Sequence, residues 1–202
     1  MKNNQKKFNI VKAAQKRFAR HGLAKTTIEE IARDLRIGKA SIYHYYASKE
    51  DIYYDVISFE IDRFISEIGE ILSNSQLNEP EKKLSAYLDF KSKTPGKYSL
   101  IFDLVKLAFR EFPLERDTEN LKNLLKNEES IIMEFLKDTM GKKKPAPALA
   151  GMIVRQTWTF VLSESFNRTI TNEELLTGGL PPLPTTEEEA MFWETYFRQL
   201  IL

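Results

Sequence analysis

Residues 26–46 constrain this chain more than any other stretch, because they hold two short helices with room between them only for a tight turn. Thr26 and Thr27 precede Glu29 and Glu30, giving two overlapping capping-box registers. In each, a threonine hydroxyl takes an orphan backbone N–H and the glutamate three residues later reaches back. Ile28, Ile31, Ala32 and Leu35 form one apolar stripe at helical spacing, which predicts a helix ending near Arg36. Ile37-Gly38 then leaves a turn of three or four residues before Ala40, Ile42, Tyr43 and Tyr46 resume helical spacing. Two short helices joined so closely form a helix-turn-helix. Upstream, Phe8, Val11, Ala14 and Phe18, with lysines and arginines between them, predict an amphipathic helix over about 5–21 that stops at Gly22.

The charge distribution points the same way. The 202-residue chain has a formal net charge of +1, yet residues 1–49 carry 12 Lys and Arg against 3 Asp and Glu, a local excess of +9. The remainder carries 18 against 26, or −8. A solvated tail accounts for Lys2, Lys6 and Lys7, but not for Lys12, Lys16, Arg17, Arg20, Lys25, Arg33, Arg36, Lys39 and Lys49 within patterned helices. They predict a surface for a polyanion.

Other functions lack their residues. With no cysteine, disulfides, thiol catalysis and cysteine-held metals are excluded. No HExxH, GxxxxGK[ST] or GxSxG motif occurs, and the two histidines, His21 and His44, are not spaced to share a metal. Neither an enzyme nor a metal or other cofactor is expected. Glu128-Glu129 and Glu187-Glu188-Glu189 read as solvated charge runs. There is no early apolar run of signal-peptide length and no stretch near about 18 apolar residues, so the expectation is a cytoplasmic, nucleoid-associated protein without a membrane partner.

Thr26-Thr27-Ile28-Glu29-Glu30-Ile31-Ala32, Ile42-Tyr43-His44-Tyr45-Tyr46 and Ser48-Lys49-Glu50-Asp51-Ile52 closely resemble the DNA-binding domain of tetracycline-repressor (TetR) family transcription regulators. The resemblance covers roughly residues 8–60; the rest is similar only in length and helical character. It departs at the turn, where the family commonly has Gly in place of Arg36 and Ser in place of Gly38, and where a frequent His-Phe pair is Tyr45-Tyr46 here. If the turn needs a left-handed residue, Arg36 costs about 1 kcal/mol where glycine costs little.

In a helix-turn-helix the second helix lies in the major groove, which makes Lys39, Ala40, Ser41, Tyr43 and His44 the candidates for reading base edges. Thr26, Thr27, Tyr45 and Lys49 are assigned to phosphates. The resemblance implies DNA contact at Tyr43, Tyr45 and Lys49. Phe18, Ile31, Leu35, Ile42 and Tyr46 are expected in the core, and His21 at an exposed helix end.

A longer helix is expected from Ser48 to Ser73, carried by Ile52, Val56, Phe59, Ile61, Phe64, Ile65, Ile68 and Leu72. Some 24 residues span about 36 Å, long enough to act as a lever. After the polar break ending at Pro80, further helices are predicted near 80–93, 97–111, 115–139, 146–169 and 186–201, with the longest loop at Thr171–Thr186. The fold is therefore expected to be all-α: a three-helix DNA-binding domain over 1–48, a linking helix over 49–73, and a helical-bundle ligand-binding and dimerisation domain over 74–202.

The two last helices are more apolar than one small core requires. The resemblance implies that they pair with their copies as a four-helix bundle, with Met152, Met191, Phe192, Tyr196 and Leu200 in a homodimer interface. A pocket for a small hydrophobic or amphipathic ligand is expected among Tyr87, Phe90, Tyr98, Phe102, Phe109, Gln156, Trp158, Phe160 and Ser163, although residues of these types at helical spacing are more often ordinary core than ligand contacts. Arg155, Gln156, Thr159 and Ser163 are the polar residues expected inside. The expected function is a repressor that binds palindromic double-stranded operator DNA and is released by that ligand. The alternative is a nucleoid-organising or cell-division protein of the same architecture without a ligand response.

Overall fold

Gly22 breaks the first helix where the apolar spacing predicts, with φ 73° and ψ 170° inside α1 (Lys2–Lys25). A left-handed φ costs glycine almost nothing. The computed structural model describes residues 2–110, 114–141, 144–170, 191 and 195, with side chains except at 2, 3, 108–110 and 166–170. After α1 come α2 (Ile28–Asp34), α3 (Lys39–Tyr43), α4 (Lys49–Ser73), α5 (Pro80–Ser92), α6 (Thr94–Lys97), α7 (Ser99–Arg110), α8 (Glu115–Met140) and α9 (Leu149–Ile170). Among the described residues there is no strand, so the fold is all-α. None of these helices is long and apolar enough to cross a membrane. Most of the helix expected over 186–201 lies outside the described residues.

The chain forms two compact units, residues 1–63 with 98–120, and 64–97 with 121–202. This division follows packing rather than chain order: α7 joins the unit of the helix-turn-helix. The helix predicted over 97–111 is α7, and a further short helix, α6, occupies the expected break at Pro95-Gly96.

In the first unit Ile10, Val11, Ala14 and Phe18 of α1 are buried with Ile31 and Ala32 of α2, Ile42, Tyr46, and Ile52 and Val56 of α4. Leu35 is only half-buried. Arg17 ties α1 to α2 with a fork, Nε donating to Asp34 at 2.6 Å and Nη2 at 2.7 Å. The pairing holds the Asp34 carboxyl below its usual range. Glu60 of α4 is 2% exposed, and its Oε1 accepts from Gln15 Nε2 of α1 at 2.9 Å. Burial pushes the pKa of this carboxyl up.

In the second unit α5 packs on α9. Its core is built from Phe64 and Ile68 of α4, Leu84, Tyr87 and Leu88 of α5, Leu124, Ile132 and Leu136 of α8, and Ile153, Val154 and Trp158 of α9.

Candidate nucleic-acid interface and the polar core of the second unit

Of the two capping registers, the structure uses the second. Thr27 is the N-cap of α2: its Oγ1 accepts from Glu30 N–H at 3.3 Å, and its own N–H donates to Glu30 Oε2 at 2.9 Å. This reciprocal pair satisfies two donors at the helix start. Thr26 is buried, 1% exposed, and donates its hydroxyl to the Gly22 carbonyl at 2.8 Å. It supports the entry to α2 from inside, whereas Thr27 is exposed.

The turn is a Schellman motif. Arg36 N–H bonds the Arg33 carbonyl and Ile37 N–H bonds the Ala32 carbonyl, each at 3.0 Å, which places Arg36 at the left-handed position with φ 54°. This is the strain foreseen at Arg36, so the turn keeps its geometry with an unfavourable residue. Gly38, the N-cap of α3, is extended at φ −72° and has no side chain to cap with.

α3 divides cleanly into two faces. Ile42 is buried, while Lys39, Ala40, Ser41 and Tyr43, and His44 just beyond, are exposed. Tyr46 is buried and donates its hydroxyl to Asp55 at 2.9 Å, which Lys7 also pairs at 2.8 Å. Tyr45 is half-buried, with the His44 ring edge-on at 5.2 Å. The Lys39 ammonium is paired with Glu29 of α2 and lies 5.5 Å from the Tyr43 ring centroid. That bond raises the pKa of Lys39 and lowers that of Glu29. Lys49, at the start of α4, donates to the Leu23 carbonyl at 2.7 Å and so links the ends of α1 and α4.

A groove of about 400 Å³ runs beside α3, lined by Lys6, Asn9 and Ile10 of α1, Leu35 and Ile37, and Ser41, His44 and Tyr45. By charge pattern alone Lys6 belongs to a solvated tail. The structure sets it and Asn9 beside two of the candidate base readers, a placement that tertiary packing alone determines.

The second unit contains a buried polar cluster. Glu128 of α8, Lys91 and Tyr87 of α5, and Thr157 of α9 are each 0% exposed, and Trp158 is 2% exposed. Glu128 Oε1 accepts from Lys91 Nζ at 2.6 Å and from the Tyr87 hydroxyl at 2.7 Å, and Oε2 accepts from Trp158 Nε1 at 2.8 Å. Thr157 Oγ1 lies 3.1 Å from the Tyr87 hydroxyl and 2.9 Å from the Val154 carbonyl. The Lys91 ammonium sits 3.4 Å from the Trp158 ring centroid, 5.4 Å from Phe64 and 5.8 Å from Tyr87. Burial lowers the Lys91 pKa to about 8 against the opposing pull of Glu128.

Of the residues expected to form a pocket, Tyr87 and Trp158 belong to this cluster, and Phe90 is buried with its ring 5.2 Å from Phe64. Tyr98 and Phe102 are buried in the other unit. Gln156 and Phe160 are half-buried, and Ser163 is exposed, as are Arg155 and Thr159. Among the described residues, the polar residue that α9 buries is Thr157, one position along from the expected Gln156. Glu128, expected on a solvated face, is fully buried because it shares a helical face with Leu124, Ile132 and Phe135. Met152 is 45% and Met191 68% exposed. Phe192, Tyr196, Leu200 and the Phe109 side chain lie outside what is described.

A capped helix, a tight turn and a second helix with one exposed face make a helix-turn-helix. Residues 10–56 match the model of the bacterial regulatory proteins of the tetR family. The match covers that stretch alone, and the chain shares its fold with solved TetR regulators. The HTH-type transcriptional regulator HbdR of Aromatoleum sp. (strain CIB) is 33% identical over 80 residues, 40% of this chain and 34% of that protein. The HTH-type transcriptional regulator YerO of Bacillus subtilis (strain 168) is 31% identical over 81 residues, 40% of this chain and 28% of that protein. The chain thus matches about a third of the length of these relatives. A TetR transcriptional regulator from Legionella pneumophila shares the fold with a TM-score of 0.64 at 17% identity, over 96% of each chain.

Proposed function

We propose that this protein represses transcription by binding a palindromic operator as a homodimer, with α3 in the major groove, and that a small hydrophobic or amphipathic ligand in the C-terminal domain releases it. The observation that carries the reading is the two-faced α3, which buries Ile42 and exposes Lys39, Ala40, Ser41, Tyr43 and His44 on the part of the chain that holds the basic excess. Lys39 suits guanine O6 and N7, Ser41 and His44 suit other base edges, and Ala40 or Tyr43 suits a thymine methyl. Thr27, the Tyr45 hydroxyl and Lys49 suit phosphates, and Lys6 and Asn9 line the same groove. Thr26 contributes through the turn that holds α2.

The buried polar cluster around Glu128 supports a ligand-responsive second unit, since an apolar core needs no such group. Exposed Met152 and Met191 support a dimer surface there, completed by Phe192, Tyr196 and Leu200. The ligand acts by population shift, favouring the arrangement whose two heads no longer match successive major grooves.

The test is binding of the purified protein, at two salt concentrations, to the intergenic DNA beside its own gene and to a scrambled duplex of equal length. Tight, salt-sensitive and selective binding is expected. Weak and unselective binding, with occupancy scattered over the genome, would move the reading to a nucleoid-organising role.

A further inference from the structure

We propose that the buried Lys91–Glu128 pair marks a binding site for an organic ammonium ion whose nitrogen carries at most one N–H, and that the Lys91 ammonium is a tethered occupant which such a ligand displaces. The proposal rests on reading the second unit as ligand-responsive, and it names the chemistry of that site.

The surroundings of Lys91 Nζ suit a different cation better than they suit lysine. A primary ammonium has three N–H donors. Among the described residues its one acceptor is Glu128 Oε1 at 2.6 Å, and the other neighbours are the faces of Trp158, Phe64 and Tyr87. Aromatic faces attract positive charge, but they leave N–H groups without a lone pair to bond. A tertiary ammonium would give its single N–H to Glu128 and its alkyl groups to the rings. A quaternary ammonium would meet the carboxylate by charge alone, the arrangement in which aromatic cages hold such ions.

Glu128 is also prepared to outlast the departure of Lys91. The Tyr87 hydroxyl and the Trp158 indole N–H, both neutral donors, bond its two oxygens at 2.7 and 2.8 Å and fix the carboxylate whichever cation is present. Tyr87, Glu128 and Trp158 come from α5, α8 and α9, so the seat is built by three helices while its occupant hangs on one. An anion is opposed by the Glu128 charge, and a neutral molecule leaves the ion pair closed. Burial lowers the Lys91 pKa to about 8, which eases release of its proton as the side chain withdraws.

The test is titration of the full chain with benzyltrimethylammonium, followed by tryptophan fluorescence, Trp158 being one of two tryptophans. Saturable quenching by this cation is expected, with none from benzyl alcohol or benzoate at equal concentration. Lys91→Ala removes the tethered competitor and is expected to tighten binding by about tenfold or more, and the added cation should raise the melting temperature of that variant. The double variant Lys91→Met with Glu128→Gln removes both charges and is expected to fold and to lose the cation. Binding of benzoate instead, cation binding unchanged in the double variant, or no cation binding by either wild type or Lys91→Ala overturns the proposal. Operator affinity is read separately. A bound cation that leaves operator affinity unchanged upholds the site and rejects the ligand-response reading, whereas operator release by other compounds without cation binding rejects the site alone.

Discussion

Lys39 has two claims on its one charge. In the free protein its ammonium is paired with Glu29, both side chains being about half exposed, and an ion pair so exposed is weak. In the proposed complex Lys39 turns to a base, and the Glu29 carboxylate is left facing phosphates. Glu29→Gln is therefore expected to strengthen binding to operator and scrambled DNA alike, several-fold at low salt, with the gain fading as salt rises. Equal affinity of variant and wild type at low salt would contradict this. The roles of the basic residues separate in a second comparison. Lys39→Ala and Tyr43→Ala should reduce selectivity, while Lys49→Ala should weaken every sequence alike and lower the salt slope by about one. Because Lys49 also bonds the Leu23 carbonyl, thermal unfolding of Lys49→Ala is measured alongside, and Lys49→Arg is expected to recover the slope. At this scale the sequence showed which residue types sit on α3 but not their partners. The two threonines offer the same capping chemistry, and only the kink at Gly22, which brings its carbonyl to Thr26, decides that Thr27 is the cap.

The turn and the buried cluster show what elements add to residues. Arg36 holds the left-handed place in the Schellman turn between α2 and α3, and a Cβ there costs about 1 kcal/mol that glycine avoids. Arg36→Gly is expected to stabilise the protein by about 0.5–1 kcal/mol, read as a rise in the denaturation midpoint without a change in slope. No rise would show that the Arg36 side chain compensates the strain. In the second unit, Glu128→Ala leaves a buried ammonium among three aromatic rings and should cost about 3–5 kcal/mol, whereas Lys91→Met with Glu128→Gln, which removes both charges and keeps an amide oxygen for the Tyr87 or Trp158 donor, should cost less. A mild Glu128→Ala would mean that water or a rearranged Lys91 relieves the charge. Both buried residues were legible in principle. Lys91 follows Leu84, Tyr87 and Leu88 on one helical face, and Glu128 follows Leu124 on another. Charge alone hid them, since charged residues are almost never fully buried unless paired, and pairing across α5 and α8 is not written in either helix. The short α6 was hidden for another reason: Pro95 and Gly96 read as a break, yet Pro95 stands in the first turn of α6, where it has no helical N–H bond to lose.

For the whole molecule, the opposed charges of the two parts of the chain bear on how it would reach DNA in the proposed function. There the basic excess of the first 49 residues would attract the duplex, and the acidic remainder would discourage it from lying elsewhere on the surface. One α3, five residues long, offers few contacts, so selective binding in the proposed function needs two heads acting together. The part of the dimer that would fix their spacing includes Phe192, Tyr196 and Leu200. Their apolar character is legible in the sequence; the pairing proposed for them involves a second copy of the chain, which helical spacing within one copy does not specify. The two-fold symmetry of a dimer makes a geometric prediction: the operator is a palindrome whose half-sites lie one helical turn apart, about 34–36 Å. Inserting about five base pairs between the half-sites turns one of them to the opposite face of the duplex and is expected to reduce affinity to near that of a single half-site. Gel-shift titration gives the affinity and sedimentation gives the stoichiometry, expected as two chains on the intact operator. If the separated half-sites bind as tightly as the intact palindrome, each head reads DNA on its own, and release could no longer work through the spacing between heads.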